Sequence, residues 1–255
     1  MHRVLIPPEA VRTDQITIDD PRDVHHLARV LRVKPGEIIE CFDGQGRTYR
    51  GRVTHADAIR VTVTVDQRGE EPMPRVRLTL MQSLIPPVQF EWVLQKATEL
   101  GAARIIPLIT SRTTIRPSSR GAPAPAIATG GPGRRRMERW QRIVAEAATQ
   151  SGRATLPVVD DPVRFEDALQ TFGSRDVLLP TLVDPRTPLA DHLQRLGRVA
   201  DVVILIGPEG DFSPEEVSLA RRAGAHPVSL GTATLRSETA AIATLAILQH
   251  ALGLL

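Results

Sequence analysis

The chain has 255 residues, of which 42% are hydrophobic and 24% charged, and its formal net charge is +3. These proportions are typical of a soluble globular protein that can bury a core. No uncharged apolar run approaches the ~20 residues that span a bilayer, and the N-terminus lacks a signal-peptide pattern, so we expect a cytoplasmic protein with no membrane partner. A single cysteine, Cys41, excludes an intramolecular disulfide and a cysteine-rich zinc site.

The basic residues are almost all arginine, because the only lysines are Lys34 and Lys96. A guanidinium presents a planar set of donors that matches phosphate oxygens and stacks on bases, so this bias favours an RNA partner. A genome rich in GC codons would give the same bias, and the 21 prolines fit that explanation too. Composition alone leaves both interpretations open.

Residues 1–72 are predicted to form a small β-rich module. Residues 59–65 alternate apolar and polar side chains with period two, the pattern of a strand with one buried face. Two earlier predicted strands, 38–42 and 48–53, flank a turn at 43–46 and indicate a hairpin. A compact barrel is the expected result.

One helix is predicted within this module, beginning near Pro21 and ending before Pro35. Its apolar spacing is helical, so its other face is left basic, with His25, Arg29 and Arg32. The side chains expected to face the core are Val24, Leu27, Val30 and Leu31.

Charged residues and two prolines interrupt the strand pattern at 69–74. This interruption predicts a linker between two domains, one over residues 1–72 and the other over residues 74–255. After it, apolar runs alternate with helical patterns, which indicates an α/β domain with a largely parallel sheet. The predicted strands are 76–85, 104–109, 177–183 and 202–206, and the predicted helices include 91–100 and 137–150. The stretch 116–133 is dense in Pro, Gly, Ala and Ser and is predicted to be a mobile surface loop.

Two predicted strands run into glycine-containing loops. The strand 202–206 is followed by Gly207 and Gly210, and a helix then begins at Ser213 with Glu216 placed to close a capping box. The strand 226–230 is followed by Gly231. Glycines at the carboxyl ends of parallel strands let the backbone approach a ligand closely.

The last helix, predicted at 240–252, is apolar on nearly every face. It follows four polar residues, Arg236, Ser237, Glu238 and Thr239. A helix without a polar stripe is buried on all sides, so we expect it under the sheet or against a second subunit.

These loops resemble the cofactor loops of SPOUT methyltransferases, in particular those of the RsmE family. The resemblance rests on residues 205–210 and 230–239, and three more blocks agree with it in the family's order, at 25–32, 95–101 and 139–153. It implies a PUA-like N-terminal barrel, a SPOUT domain with a deep trefoil knot and a homodimer. It also implies S-adenosyl-L-methionine as cofactor and methylation of N3 of a uridine in 16S ribosomal RNA within the assembled small subunit. Asp211 departs from the family, where a small residue is common at this position.

The chemistry of the reaction and the resemblance together predict roles for single residues. Arg236 is expected to stabilise negative charge on the base, and Glu238 to accept a proton from it; the alternative is that Glu238 caps the last helix or pairs with Arg236. The expected cofactor-binding residues are Leu205, Ile206, Gly207, Glu209, Gly210, Leu230, Gly231, Leu235 and Arg236. The expected RNA-binding residues are His25, His26, Arg29, Arg32 and Arg153. No metal is expected, since the adjacent histidines lack a third ligand at a recognisable spacing.

Other functions fit the sequence less well. An oxidoreductase would need a G-x-G-x-x-G turn after its first strand, and the nearest imitation, residues 44–46, lies inside the predicted hairpin. A P-loop and a G-x-S-x-G elbow are absent from the sequence. A non-catalytic RNA-binding protein and a SPOUT ribose 2′-O-methyltransferase acting on transfer or ribosomal RNA remain as alternatives.

Overall fold

The computed structural model describes residues 1–114, 132–173, 175–197 and 199–254. Two compact units are distinguished by their internal contacts: Met1–Met73 with Ala145–Leu156, and Pro74–Val144 with Pro157–Leu255. The domain boundaries at 1–72 and 74–255 stay a prediction. The loop predicted at 116–133 lies outside the described residues as far as residue 131. Within the described ranges, no helix has the length and apolar character needed to cross a bilayer.

The first unit is built on a six-stranded sheet. Its strands are β1 (His2–Leu5), β2 (Val11–Arg12), β3 (Gln15–Ile18), β4 (Ile38–Phe42), β5 (Arg47–Ala56) and β6 (Val61–Glu70). They lie in the order β1-β4-β5-β6-β3-β2, with β1 and β4 parallel and the other pairs antiparallel. The predicted hairpin is confirmed, and the carboxylate of Asp43 accepts hydrogen bonds in its turn from the backbone N–H groups of Gln45 (2.8 Å) and Arg47 (3.0 Å).

The helical segment of this unit is α1 (Pro21–Val24), capped by Asp20 and continued by a π-helix over His25–Val30. Val24 and Leu27 are buried as predicted, whereas Val30 is 58% exposed. The prediction for Val30 is wrong because it assumed α-helical spacing. The wider π-helical winding, with the N–H of Leu31 bonded to the carbonyl of His26, turns Val30 away from the core.

The second unit contains an eight-stranded sheet surrounded by helices. Its elements in chain order are β7 (Arg77–Ser83), α2 (Pro87–Glu99), β8 (Arg104–Ile109), α3 (Pro132–Ser151), β9 (Val158–Val159), β10 (Val163–Arg164), α4 (Phe165–Leu169), β11 (Asp176–Pro180), β12 (Thr187–Pro188), α5 (Leu189–Arg195), β13 (Asp201–Ile206), α6 (Pro214–Arg222), β14 (Ala225–Ser229) and α7 (Ser237–Ala251). The last residues of α3 are grouped with the first unit.

All strand pairs of this sheet are parallel, which confirms the predicted parallel α/β architecture. The order is β10-β8-β7-β13-β11-β14-β12, with β9 paired to β8. The central strand β13 is buried from Val202 to its end because helices cover both faces of the sheet, which explains its unbroken apolar sequence. The core includes Met81, Leu205 and the ring pair Phe165–Phe212.

The last helix, α7, is buried on one face only. Ala241, Leu245 and Leu248 are fully enclosed, while Ile247 is 41% exposed. Complete burial under the sheet, one of the two predicted outcomes, is therefore wrong for the single chain. Packing against α2 and the sheet covers only part of the apolar circumference of α7.

Candidate functional site

Three neighbouring strands, β13, β11 and β14, end at the same edge of the parallel sheet. Gly207 follows β13, Thr181 follows β11, and Leu230 follows β14. In parallel α/β sheets, ligands bind at this edge, in the crevice between the loops that follow the carboxyl ends of the strands. The two glycine loops singled out in the sequence are thus brought together, with a third loop between them.

The loop after β13 is anchored by Ser237, the first residue of α7. The Ser237 hydroxyl donates to the carbonyl of Gly207 at 2.5 Å and accepts from Nε2 of Gln82 at 2.9 Å. Both side chains are buried, so these hydrogen bonds are shielded from water. The sequence analysis did not single out Gln82. A glutamine within the apolar run 76–85 nevertheless indicates a buried hydrogen-bond partner.

Asp211 ties the loop after β13 to the loop after β11. Its Oδ2 accepts from the hydroxyl of Thr181 at 2.8 Å and from the backbone N–H of Leu182 at 2.6 Å, and its Oδ1 accepts from the N–H of Phe212 at 2.8 Å. The backbone of Asp211 is left-handed, with φ 59°, a conformation that aspartate tolerates better than most residues. A Cβ at Gly207 would lie 3.1 Å from Oδ1 of Asp211, so a side chain there would crowd the turn.

A fourth segment, after β8, also holds the loop. Arg112 donates to the carbonyl of Gly210 at 2.5 Å. The capping box predicted for Ser213 and Glu216 is confirmed. The carboxylate of Glu216 does more than close it, because Oε1 also accepts from the N–H of Ser111 at 2.7 Å while Oε2 accepts from that of Ser213 at 2.9 Å.

The predicted cofactor-binding residues fall into two groups. Leu205 and Ile206 are buried inside the sheet, so their side chains face the core rather than the edge. The exposed or half-buried members at the edge are Glu209, Gly210, Leu230, Gly231 and Leu235. Position 231 requires glycine, because residues with a side chain rarely adopt its φ of 126°. Leu182, which the sequence did not single out, is 51% exposed at the same edge.

Arg236 and Glu238 lie where α7 begins. Arg236 is exposed at the N-cap position, and Glu238 is half-buried in the first turn. Within the described residues, Glu238 makes neither an ion pair with Arg236 nor a capping hydrogen bond. The structural alternative for Glu238 therefore has no contact to support it.

The predicted RNA-binding residues lie on different elements of the first unit. His25, His26 and Arg29 are exposed on the helical segment, and Arg32 is exposed just beyond it. The prediction that Arg32 lies on the helix is wrong, because the segment ends at Val30 and the backbone of Arg32 is left-handed, with φ 54°. Arg153 is partly buried, and its guanidinium lies 3.4 Å from a carboxylate oxygen of Glu71. Arg153 lies just beyond α3, which ends at Ser151. Among the residues that the structure covers, no group of three or more His, Cys, Asp or Glu could hold a metal ion.

Two family models match the chain. The model of the RNA methyltransferase domain matches residues 71–249, and the model of the RNA methyltransferase PUA domain matches residues 18–66. The first covers more than half of the chain.

Individual relatives agree with the family models. The ribosomal RNA small subunit methyltransferase E of Synechocystis sp. is 34% identical over 250 residues, which is 96% of this chain and 76% of the relative. That of Bacillus subtilis is 25% identical, covering 91% and 89% of the two chains. The ribosomal RNA small subunit methyltransferase E of Neisseria gonorrhoeae, solved bound to S-adenosyl methionine, superimposes with a TM-score of 0.81 at 29% identity over 98% of this chain and 97% of that one. A Legionella pneumophila protein solved with bound cofactor SAM gives 0.82 at 28% identity, with the same coverage.

Removal of the Glu216 carboxylate is expected to destabilise the fold. Glu216→Ala leaves the N–H groups of Ser111 and Ser213 without their acceptor, at a cost of about 2 kcal/mol or more. Urea unfolding followed by circular dichroism measures the loss. Glu215→Ala, which removes an exposed carboxylate from the same turn, is the matched control. Equal unfolding midpoints for the two variants would contradict a structural role for the buried carboxylate.

Proposed function

The chain belongs to the ribosomal RNA small subunit methyltransferase E family, and from that premise we propose that it transfers a methyl group from S-adenosylmethionine to N3 of a uridine in 16S ribosomal RNA. The observation that carries the proposal is the meeting of both glycine loops at one edge of the parallel sheet, directly beside Arg236 and Glu238. A non-catalytic RNA-binding protein would need no such edge.

The residues at this edge suit S-adenosylmethionine. Leu182, Leu230 and Leu235 offer apolar surface for an adenine ring. The backbone of residues 232–235 makes no hydrogen bond to the described part of the chain. Its N–H and C=O groups are therefore available to form hydrogen bonds with the polar atoms of the adenosine. A Cβ built on Gly231 meets nothing within 4 Å, so space is open beside the loop. Glu209 is exposed and would face the positive end of the cofactor.

The bound cofactor supplies an electrophilic methyl group on a sulfonium. The protein must supply the rest, because N3 of uridine carries a proton at neutral pH and is a poor nucleophile. Glu238 accepts this proton, and the Arg236 guanidinium stabilises the negative charge that develops on the base. Ser237, fixed between them by Gly207 and Gln82, sets the position of both side chains relative to the cofactor loop.

The RNA is held by the basic helical segment of the first unit in this proposal. His25, His26, Arg29 and Arg32 are exposed and suited to phosphate contacts. Arg153 contributes less, since Glu71 offsets its charge. The substrate is the 16S RNA within the assembled small subunit, which places the reaction in the cytoplasm.

The assembly and the threading of the chain complete the proposal. A homodimer would cover the exposed side of α7 at Ile247, together with the exposed Val88 and Trp92 of the neighbouring α2.

A trefoil knot is supported by the strand order, since the chain leaves β11, inserts β13 between β7 and β11, and returns to β14 on the far side of β11.

The product of the reaction is the first test. Purified protein is incubated with S-adenosylmethionine and small ribosomal subunits that lack the modification, and digested nucleosides are identified by chromatography and mass spectrometry. N3-methyluridine is the expected product. A 2′-O-methyl nucleoside would keep the enzyme class and overturn the target atom, and no product despite cofactor binding would overturn the proposed substrate.

Arg236 and Glu238 are expected to affect turnover rather than cofactor affinity. Arg236→Ala should lower kcat about 100-fold or more, because charge stabilisation in the transition state is lost. Glu238→Gln should lower kcat by a similar factor, because the group that accepts the N3 proton is lost. Single-turnover rates and calorimetric Kd values for S-adenosylmethionine measure both effects. Glu215→Gln is the control, and wild-type rates in either variant would remove that residue from the mechanism.

Asp211 is expected to act through the loops that it joins. Asp211→Ala removes three charge-assisted hydrogen bonds, so the loops after β11 and β13 lose their fixed spacing and the Kd for S-adenosylmethionine rises about tenfold or more. Asp211→Asn keeps one acceptor and tolerates the left-handed backbone, so its Kd should be intermediate. Calorimetry on both variants decides the point, and an unchanged Kd for Asp211→Ala would refute the positioning role.

A further inference from the structure

A concave site lies beside β12 and the amino-terminal half of β14. It is a cavity of about 380 Å³ beside the amino ends of β11 and β14. Asp176 begins β11, and His226 lies beside Leu178 in the neighbouring β14. Pro185, Arg186 and Thr187 also line the cavity, so it borders the segment that leaves the cofactor edge after β11. The side chains that line the cavity are nevertheless different from those at the cofactor edge.

The lining of this cavity is strongly basic. The described residues that line it include three arginines, Arg186, Arg195 and Arg221, and no acidic side chain. Arg186 is partly offset by Asp184 at 3.2 Å. Neither Arg195 nor Arg221 has a carboxylate within 4.0 Å among the described residues. Even with the carboxylates of Asp184 and Asp176 counted, the three guanidinium groups leave a positive excess, so the cavity favours an anion over a metal cation.

Two histidines complete the wall. The rings of His192 and His226 lie 4.7 Å apart, and their Nε2 atoms are 3.1 Å and 3.5 Å from different oxygens of the Asp176 carboxylate. Asp176 is only 11% exposed, and its hydrogen bond to His192 orients that ring as a carboxylate does for catalytic or ligating histidines. The His226 ring lies against the His192 ring at the cavity wall.

Two of the three arginines are held in place. Arg221, at the end of α6, donates to the carbonyl of Pro185 at 2.5 Å, and Arg186 donates to the carbonyl of Thr181 at 2.8 Å. Neutral carbonyl acceptors fix a guanidinium without cancelling its charge. Rigid guanidinium groups that keep their charge are suited to bind phosphate oxygens by paired hydrogen bonds.

We propose that this cavity, lined by Arg186, Arg195, Arg221, His192 and His226, is a phosphate-binding site separate from the methyl-transfer site. Its ligand is a phosphate group, carried either by an RNA backbone or by a free nucleotide or inorganic phosphate. The site does not depend on the proposed function, because its lining shares no residue with the cofactor edge.

The test uses the full chain with ¹⁵N-labelled histidine rings. Resonances of His192 and His226 are assigned with His192→Gln and His226→Gln. Inorganic phosphate, uridine 5′-monophosphate and a short single-stranded RNA are titrated separately at constant pH and ionic strength. Saturable shifts of these two rings are expected. The arm with the lowest Kd identifies the source of the phosphate.

Charge variants decide whether the arginines form the site. Arg195→Gln with Arg221→Gln should raise the Kd about tenfold or more, since charge-assisted hydrogen bonds are lost. Arg175→Gln with Arg222→Gln removes the same charge from exposed positions outside the lining and should leave the Kd unchanged. The proposal is overturned if no ligand shifts either ring, or if both double variants weaken binding equally. The Kd for S-adenosylmethionine should stay at the wild-type value in both, so a failure of methyl transfer would be recognised separately.

Discussion

The site depends first on the hydroxyl of Ser237, which accepts from Gln82 and donates to Gly207. Through these two hydrogen bonds, the end of β7, the loop after β13 and the start of α7 are joined inside the protein, where water cannot replace either partner. An unpaired polar group at such a position would cost as much as several ordinary surface contacts. The position of Arg236 and Glu238 relative to the glycine loop therefore follows from a buried contact and not from the flexible polar residues themselves.

Around this contact, the parallel sheet determines which loops meet. Strands that are distant in sequence become neighbours, and their carboxyl ends share one edge. Asp211 then fixes the spacing between two loops, and Arg112 and Glu216 hold the same region from the side of β8. The arginine-lined cavity lies beside the amino-terminal half of β14, so the two ends of this strand present different chemistry. The loop after β11 connects the two regions, because Arg186 in the cavity wall donates to the carbonyl of Thr181.

Local patterns were sufficient to predict much of the fold. The unbroken apolar run of β13 and the capping box at Ser213 were both found where the sequence indicated them, because each depends on neighbouring residues only. Val30 was misplaced because a π-helix has no distinctive sequence pattern. The whole circumference of α7 is apolar, yet the single chain buries one face, since periodicity shows which surface must be covered and not which molecule covers it.

The contacts that form the site could not be derived in this way. Gln82 and Ser237 are 155 positions apart, and Thr181 and Asp211 are 30 apart. Pairing between them follows from strand order, which hydrophobic periodicity does not encode. The resemblance to a family pointed to loops that the sheet brings together, and the binding roles of their residues stay a prediction. Leu205 and Ile206 have side chains buried in the core, whereas Leu182, which the sequence did not single out, is exposed at the edge.

The left-handed turn at Asp211 has a kinetic consequence. A loop that is fixed at both ends by its own chain has little conformational freedom left to lose when a ligand arrives. Association with such a loop requires no slow folding step, so its rate is governed by diffusion and by the approach of the ligand to an open edge. Release of a ligand bound at this loop would then be limited by the strength of its contacts in the complex, so the lifetime of the complex is the property that a substitution at this turn would change.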